Sequence, residues 1–157
     1  MISTRTATLA DLDTLLAFEQ GIITTERPFD QTLDDDPISY YDIGAMITAP
    51  NIEVVVATIE NEIIGSGYAR VEDAKPYLKH QKYAYLGFMY VKPEYRGKGI
   101  NQKVIKHLQQ WCILRDITEC RLEVYHDNLP AIKAYEKLGF EKLLITMRTK
   151  IEPDVLE

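Results

Sequence analysis

Arg96, Gly97, Lys98 and Gly99 stand together just after the step Tyr90-Val91-Lys92-Pro93. Two glycines in three positions let the backbone adopt φ > 0 and approach an anion closely, and the two cations favour phosphate. From Gly99 onward Ile100, Val104, Leu108 and Trp111 recur at helical spacing. The loop therefore opens an amphipathic helix whose first N–H groups and dipole add positive potential at the same place. A dinucleotide fingerprint would need a third glycine where Gln102 stands, and Gly97-Lys98-Gly99 lacks the Gly-Lys-Ser/Thr ending of a Walker loop. Spacing alone leaves two readings open: an anion-binding loop, or a plain strand-to-helix connection.

A second group of reactive residues follows between Leu122 and Phe140. Tyr135 lies on a face with Ala131, Ala134 and Leu138, at i, i+3, i+4 and i+7 spacing. That position suits a core tyrosine, and it equally suits a proton donor, since a phenol of pKa about 10 is protonated at neutral pH. Asn128 or Asp127 can cap the helix, with Pro130 in its first turn and Gly139 as its stop. Glu123 stands on the preceding strand, where a carboxylate is either a base or an outward-facing charge.

Together the two segments resemble the GNAT superfamily of acetyltransferases. That family has a strand ending in Val-x-Pro, here Val91-Lys92-Pro93, then Arg/Gln-x-x-Gly-x-Gly/Ala, here Arg96 to Asn101. Its next motif runs Asn, Ala, Tyr and Gly-Phe, matched by Asn128, Ala131, Tyr135 and Gly139-Phe140. The strong match covers residues 83–141, and the order of elements agrees over nearly the whole chain. Asn101 departs from the family's Gly or Ala, but asparagine tolerates tight backbone geometry.

The resemblance implies acetyl-CoA as co-substrate, no metal, and direct attack of an amine on the thioester. It implies that Arg96, Gly97, Lys98, Gly99, Ile100 and Asn101 hold the pyrophosphate, and that Met89, Tyr90 and Val91 hydrogen-bond the pantetheine through their backbone. Tyr135 becomes the acid for the departing thiolate, and Asn128 either contacts the pantetheine or caps its helix. Glu123, twelve residues before Tyr135, resembles the glutamate base of bacterial ribosomal-protein N-terminal acetyltransferases. The variable acceptor region corresponds to residues 23–42, where Glu26, Asp30, Tyr40 and Tyr41, with Tyr85 on a later strand, can form an acidic and aromatic site for a cationic amine. A non-catalytic acyl-CoA sensor on the same fold is the alternative, and a nucleotide-binding regulator, which would bind ATP or NAD instead, is a third reading.

The elements that must position these residues follow from hydropathy. The pattern predicts a strand at 2–8, then a helix from Thr8 with Leu12, Leu15, Leu16 and Ile22 inward and Asp11 as its capping-box acid. A polar loop is expected at 23–36, then a helix from Asp36-Pro37 to about Thr48. Strands follow near 52–60 and 62–72 as a hairpin, then 83–91, 119–126 and one last long strand at 140–150. The expected fold class is a single α/β domain over residues 1–157, with a mixed, mostly antiparallel sheet flanked by helices on both faces. The apolar fraction of 46% and charged fraction of 27% suit a globular protein, and no apolar run reaches membrane-spanning length. The net charge of -6 argues against nucleic acid and toward a cationic partner. Two cysteines and an N-terminus without a signal core point to a cytoplasmic protein with reduced thiols. An exposed edge strand of such a sheet can pair across a homodimer axis.

Overall fold

A computed structural model describes residues 1–156 of the chain. One sheet runs through it: β1 (Ile2–Thr6), β2 (Ile52–Ile59), β3 (Glu62–Asp73), β4 (Lys82–Val91) and β5 (Cys120–Arg121), hydrogen-bonded in that order. The first four are antiparallel neighbours, and β4 and β5 are parallel. The helices are α1 (Leu12–Glu26), α2 (Ile43–Thr48), α3 (Ile100–Ile113) and α4 (Leu129–Lys137).

The sheet is covered on both sides because β2 is apolar on both sides. Val55 and Ala57 join Ile64, Ala69 and Leu86 beneath Ile100, Val104, Ile105 and Leu108 of α3. Val54 and Val56 join Tyr68 and Phe88 beneath Leu15 and Phe18 of α1 and Ile43 and Met46 of α2. A strand that alternates between two cores reads as one continuous apolar run, and Val54-Val55-Val56-Ala57 is that run. The β2–β3 hairpin turns at Glu60-Asn61, with Glu60 at φ 55°. The parallel pair β4 and β5 is bridged by α3, since parallel neighbours need a crossover.

Several expectations move. The inward face of α1 is Leu15, Phe18, Glu19 and Ile23, whereas Leu16 is exposed and Ile22 only half-buried. The expected loop at 23–36 starts later, because α1 continues to Glu26 and a 3-10 turn follows at Arg27–Phe29. The Thr24 and Thr25 hydroxyls bond back to the carbonyls of Gln20 and Gly21, at 3.0 and 2.9 Å, so these polar residues stay within the helix. The second helix does not begin at Asp36-Pro37. The Asp36 carboxylate pairs with Arg27 at 2.6 Å, and Asp42 caps α2 instead, its Oδ1 accepting from the Ala45 N–H at 3.2 Å. The strand expected at 119–126 is regular only at Cys120–Arg121. The last strand expected at 140–150 is not formed. That segment has no regular secondary structure and is exposed from Glu141 onward, with no neighbouring strand to satisfy its backbone.

Glu19 is a charged residue on the buried face of α1, and it is fully enclosed. Its Oε2 accepts from the Tyr40 and Tyr41 N–H groups at 3.0 and 2.8 Å, and its Oε1 accepts from the Ser39 hydroxyl at 3.2 Å. A single carboxylate thus fixes the path of residues 39–41.

The chain entering α1 is fixed by Asp11. Its carboxylate accepts from the Thr8 N–H at 2.8 Å and from both Arg5 guanidinium nitrogens at 2.8 and 3.0 Å. The Arg5 hydrogen bonds, then the Thr8 N–H and the Arg5 charge, hold Asp11 below the usual carboxylate range against the opposing effect of burial. Asp11→Ala should lower stability at neutral pH by about 1–2 kcal/mol, measured by urea denaturation. A depressed native pKa stabilises above the unfolded value of about 3.9 and is lost as pH falls through the native one. The difference between wild type and variant should therefore persist at pH 5 and shrink below pH ~4.

Candidate functional site

Across β3 and β4 the register shifts between Ser66↔Tyr90 and Tyr68↔Gly87, which leaves Phe88 as an extra residue at φ 57°. This is a β-bulge, and it bends the strand. The buried Ser66 hydroxyl donates to the Phe88 carbonyl at 3.0 Å and so holds it. On the other side of β4, pairing with β5 involves only Ala84↔Cys120 and Tyr85↔Arg121. Beyond Tyr85 the two chains part, and the β5-facing backbone groups of residues 86–91 have no strand partner. Met89 and Val91 turn their side chains into the α3 core, while Tyr90 turns to the α1 core, stacking on Phe18 with ring centroids 4.6 Å apart. What these three residues offer the gap is backbone.

The loop leaving β4 closes one end of this gap. Pro93–Tyr95 forms a 3-10 turn, and Arg96 Nε donates to the Val91 carbonyl at 3.1 Å, folding the loop back on the strand. Gly97 and Gly99 sit at φ 77° and 76°. A Cβ at either would meet no atom within 4 Å, so backbone conformation, not crowding, demands glycine here. Lys103 N–H is the first to find a helical partner, the Gly99 carbonyl at 3.2 Å. The N–H groups of Gly97, Lys98, Gly99, Ile100, Asn101 and Gln102 have no backbone acceptor. Six successive free donors at a helix start, beside an open space, form an anion cradle. Ile100 anchors it, being buried under the sheet, and Lys98 lies over the Tyr95 ring at 5.4 Å.

The segment leaving β5 closes the other side. Asn128 caps α4, its Oδ1 accepting from the Ala131 N–H at 3.4 Å, so Asp127 does not serve as the cap. Tyr135 is half-buried, packs against the α3 core and meets Phe140 edge-on at 5.7 Å. Burial pushes its phenol above the ordinary value, and the neighbouring Asn101 side chain opposes this. Asn101, the residue that departs from the family pattern, is therefore a neighbour of Tyr135. Tyr135 is a protonated donor throughout the physiological range.

Opposite lies a basin of tyrosines. Burial leads in raising the phenols of Tyr40, Tyr41, Tyr85 and Tyr125, as it does for Tyr135, and the charge of Glu26 adds to every one of them. Glu26, at the end of α1, is therefore central to the group. Its own carboxyl is raised by burial, only partly offset by the Tyr40 phenol. The Tyr40 hydroxyl is buried beside it without completing a hydrogen bond. Glu123 is exposed, and its charge reaches Tyr68 and Tyr85. Tyr41 is engaged in packing, edge-on to Tyr68 and Phe88 at 5.6 Å from each. Asp30 is also engaged, ion-paired to Arg148 at 2.8 Å and bonded to Thr32. The structure brings together Glu26, Tyr40, Tyr85 and Glu123; it does not leave Asp30 or Tyr41 free.

Two contributors escaped the sequence reading. Tyr125 stacks on Phe29 at 5.8 Å, and its hydroxyl donates to Asp30 Oδ2 at 3.4 Å. Glu19 positions Tyr40 and Tyr41. A signal for Glu19 existed, a carboxylate four residues after Leu15 on the apolar face of α1. No group of three or more metal-ligating side chains occurs among the described residues, and no described helix is long and apolar enough to cross a membrane.

The chain resembles known proteins along this same architecture. The thialysine N-epsilon-acetyltransferase of Bos taurus is 41% identical over 59 residues, which cover 38% of this chain and 35% of that protein. The chain thus matches about a third of that relative's length. The BH1408 protein of Bacillus halodurans, solved as a tetramutant, superposes with a TM-score of 0.84 at 19% identity, covering 95% of this chain and 99% of that one. A predicted acetyltransferase from Clostridium acetobutylicum, solved with acetyl-CoA, superposes with a TM-score of 0.70 at 21% identity, over 96% of each chain. The sequence model of the Acetyltransferase (GNAT) family matches residues 17–140, from the middle of α1 through α4 and the whole gap between β4 and β5, and the chain belongs to that family.

Proposed function

We propose that this chain is an acetyl-CoA-dependent N-acetyltransferase that moves the acetyl group to a cationic primary amine within a ternary complex. The observation that carries the reading is the run of N–H groups from Gly97 to Gln102 without backbone acceptors, at the start of the helix against whose core the half-buried, protonated Tyr135 packs. The pyrophosphate of coenzyme A occupies the cradle, with Arg96 and Lys98 adding charge. The pantetheine extends along the open edge of β4 at Met89–Val91, and the Asn128 amide faces it from the cap of α4. The acetyl-CoA bound by the Clostridium acetobutylicum protein supports the choice of cofactor.

An amine in its ammonium form, with a pKa of about 10.4, cannot attack. Tyr40 offers a ring face to the cation, Tyr85 carries the Arg70 guanidinium over its ring at 5.3 Å and offers its other face, and Glu26 and Glu123 offer carboxylates. Glu123 takes the proton, directly or through water, and the freed nitrogen attacks the thioester carbonyl. Backbone N–H groups of β4 stabilise the oxyanion. The C–S bond breaks as the C–N bond is completed, Tyr135 gives its proton to the departing thiolate, and the second proton shed by the nitrogen passes through water to restore the phenol. The net charge of -6 agrees with an acceptor drawn from basic metabolites or lysine-like side chains.

Release of free coenzyme A thiol, followed across a panel of polyamines, lysine derivatives, peptide N-termini and amino-sugars, tests the proposal. At least one amine should accelerate thiol release by more than tenfold over buffer. Binding of acetyl-CoA without acceleration by any amine would favour a sensor and overturn the transferase reading. Tyr135→Phe should lower kcat by roughly 10²–10⁴-fold while the Kd for acetyl-CoA stays within about threefold. A parallel loss of both would assign Tyr135 to packing. Gly99→Val forces a β-branched residue to φ 76° with no steric clash, so the protein should stay folded and lose acetyl-CoA binding in a calorimetric titration.

A further inference from the structure

The tyrosine basin holds a cation of its own. Strand register sets Arg70 of β3, Tyr85 of β4 and Arg121 of β5 in one row across the sheet, since Arg70 pairs with Tyr85 and Tyr85 with Arg121. All three are half-buried. Tyr85 packs with Tyr68 and Tyr90 on the α1 side of the sheet, so the row lies on the face that carries the tyrosines.

The two arginines are held differently. Arg121 Nε donates to Glu119 at 2.6 Å, and its guanidinium covers the Tyr83 ring at 4.3 Å, one step further from the gap. Arg70 Nε donates to Glu72, and its guanidinium lies over two rings, Tyr68 at 5.7 Å and Tyr85 at 5.3 Å. Tyr68 crosses β4 at Gly87, where a Cβ would stand 2.7 Å from the ring. Only a residue without a side chain admits the ring there, and the ring in turn supports the guanidinium. Glu72 is the one carboxylate paired with Arg70 among the described residues. With Nε taken, the two terminal nitrogens remain for a second carboxylate, and a planar fork suits that ligand better than any other side chain does. The Arg70 side chain is 37% exposed, so a ligand in the basin can reach it.

Opposite charges meet at the same phenol. Burial leads in raising Tyr85, the charges of Glu123 and Glu26 raise it further, and that of Arg70 opposes them. An acceptor that is only a cation, such as a polyamine, brings its ammonium groups against Arg70 and is repelled. An acceptor with an ammonium and a carboxylate matches both signs. Resting on the transferase reading above, we propose that Arg70 is a specificity-determining residue that binds the carboxylate of a zwitterionic acceptor, an amino acid or short peptide acid that carries the reactive amine. The ammonium then lies toward Glu123 and Glu26, and the carboxylate lies on the Arg70 fork.

Acceptors that differ only in the carboxylate test this: L-lysine against lysinamide and cadaverine, and glycylglycine against its amide. In thiol release by the wild type, kcat/KM for the acid should exceed that for its uncharged partner by at least about tenfold in one of these series. R70Q should bring the ratio to within about twofold of one, chiefly by raising KM for the acid, and R70K should keep part of it. R121Q removes the same charge from the same row and should keep the preference. A wild type indifferent to the carboxylate overturns the proposal. Equal loss of preference in R70Q and R121Q overturns it too, since that marks a general effect of charge. Should R70Q fail to fold, the ratio in R70K decides: an undiminished one is fatal to the assignment. Calorimetric titration of each acid and its amide into the coenzyme A complex separates this proposal from the transferase reading. Arg70-dependent binding of the acid with no thiol release leaves the subsite standing and removes the transferase. Amine-accelerated release without carboxylate preference does the reverse, and neither binding nor release removes both.

Discussion

Phe88 adopts a left-handed backbone conformation in the middle of β4, held by the Ser66 hydroxyl, and beyond Tyr85 the strand has no partner on its β5 side. A sheet that continued to pair there would be closed, with its backbone groups satisfied and nothing left for a ligand. Because pairing stops, β4 and the chain after β5 diverge and leave a gap whose walls are unsatisfied backbone. The loop that follows β4 and the helix that follows β5 both emerge at its mouth. The turn of free N–H groups and Tyr135, 39 residues apart from Arg96 to Tyr135 in the chain, come to the same side of the gap for this reason.

The opposite wall is set by burial of charge. Glu19 has no ligand role in the proposed chemistry, but it enters the core fully hydrogen-bonded and holds the N–H groups of Tyr40 and Tyr41. A buried carboxylate is tolerated only when its oxygens are satisfied, and the same bonds that satisfy it position the two tyrosines. Glu26, two turns further along α1, is less well satisfied and its carboxyl rises with burial. One helix therefore carries two partly or fully buried carboxylates in different settings, distinguished by how many donors each finds.

The C-terminal third differs from the rest in kind. Cys120 of β5 packs against the core that Cys112 of α3 helps to form, and Cys120 and Arg121 pair with Ala84 and Tyr85 of β4, so β5 is fastened where it begins. Beyond Arg121 the fastening ends. α4 rests on the core through one partly buried face, and the segment after Phe140 is held at Arg148, which bonds Asp30 and Thr32 at 2.8 and 2.9 Å.

Local rules made much of this legible in the sequence. Gly97 and Gly99 signalled the positive-φ loop, Asn128 the cap of α4, Glu60-Asn61 the hairpin and the Val54–Ala57 run a strand buried on both faces. Each of these depends on a few consecutive residues, so sequence suffices. The start of α2 was misplaced because Asp36 was free, in sequence, to cap a helix, and only the fold brought Arg27 to it. The engagement of Asp30 by Arg148, 118 residues away, had no local signal at all. Neither did the bulge at Phe88, which a residue 22 positions earlier holds in place. The last strand expected at 140–150 is not formed, because an alternating pattern becomes a strand only where an edge lies beside it to pair with. The sequence by itself determined that Arg96–Gly99 is a positive-φ turn opening a helix, because two glycines within three positions suffice for it. That this turn lies beside an open strand edge and a half-buried phenol was decided by tertiary structure, because those contacts join distant segments across the gap between β4 and β5.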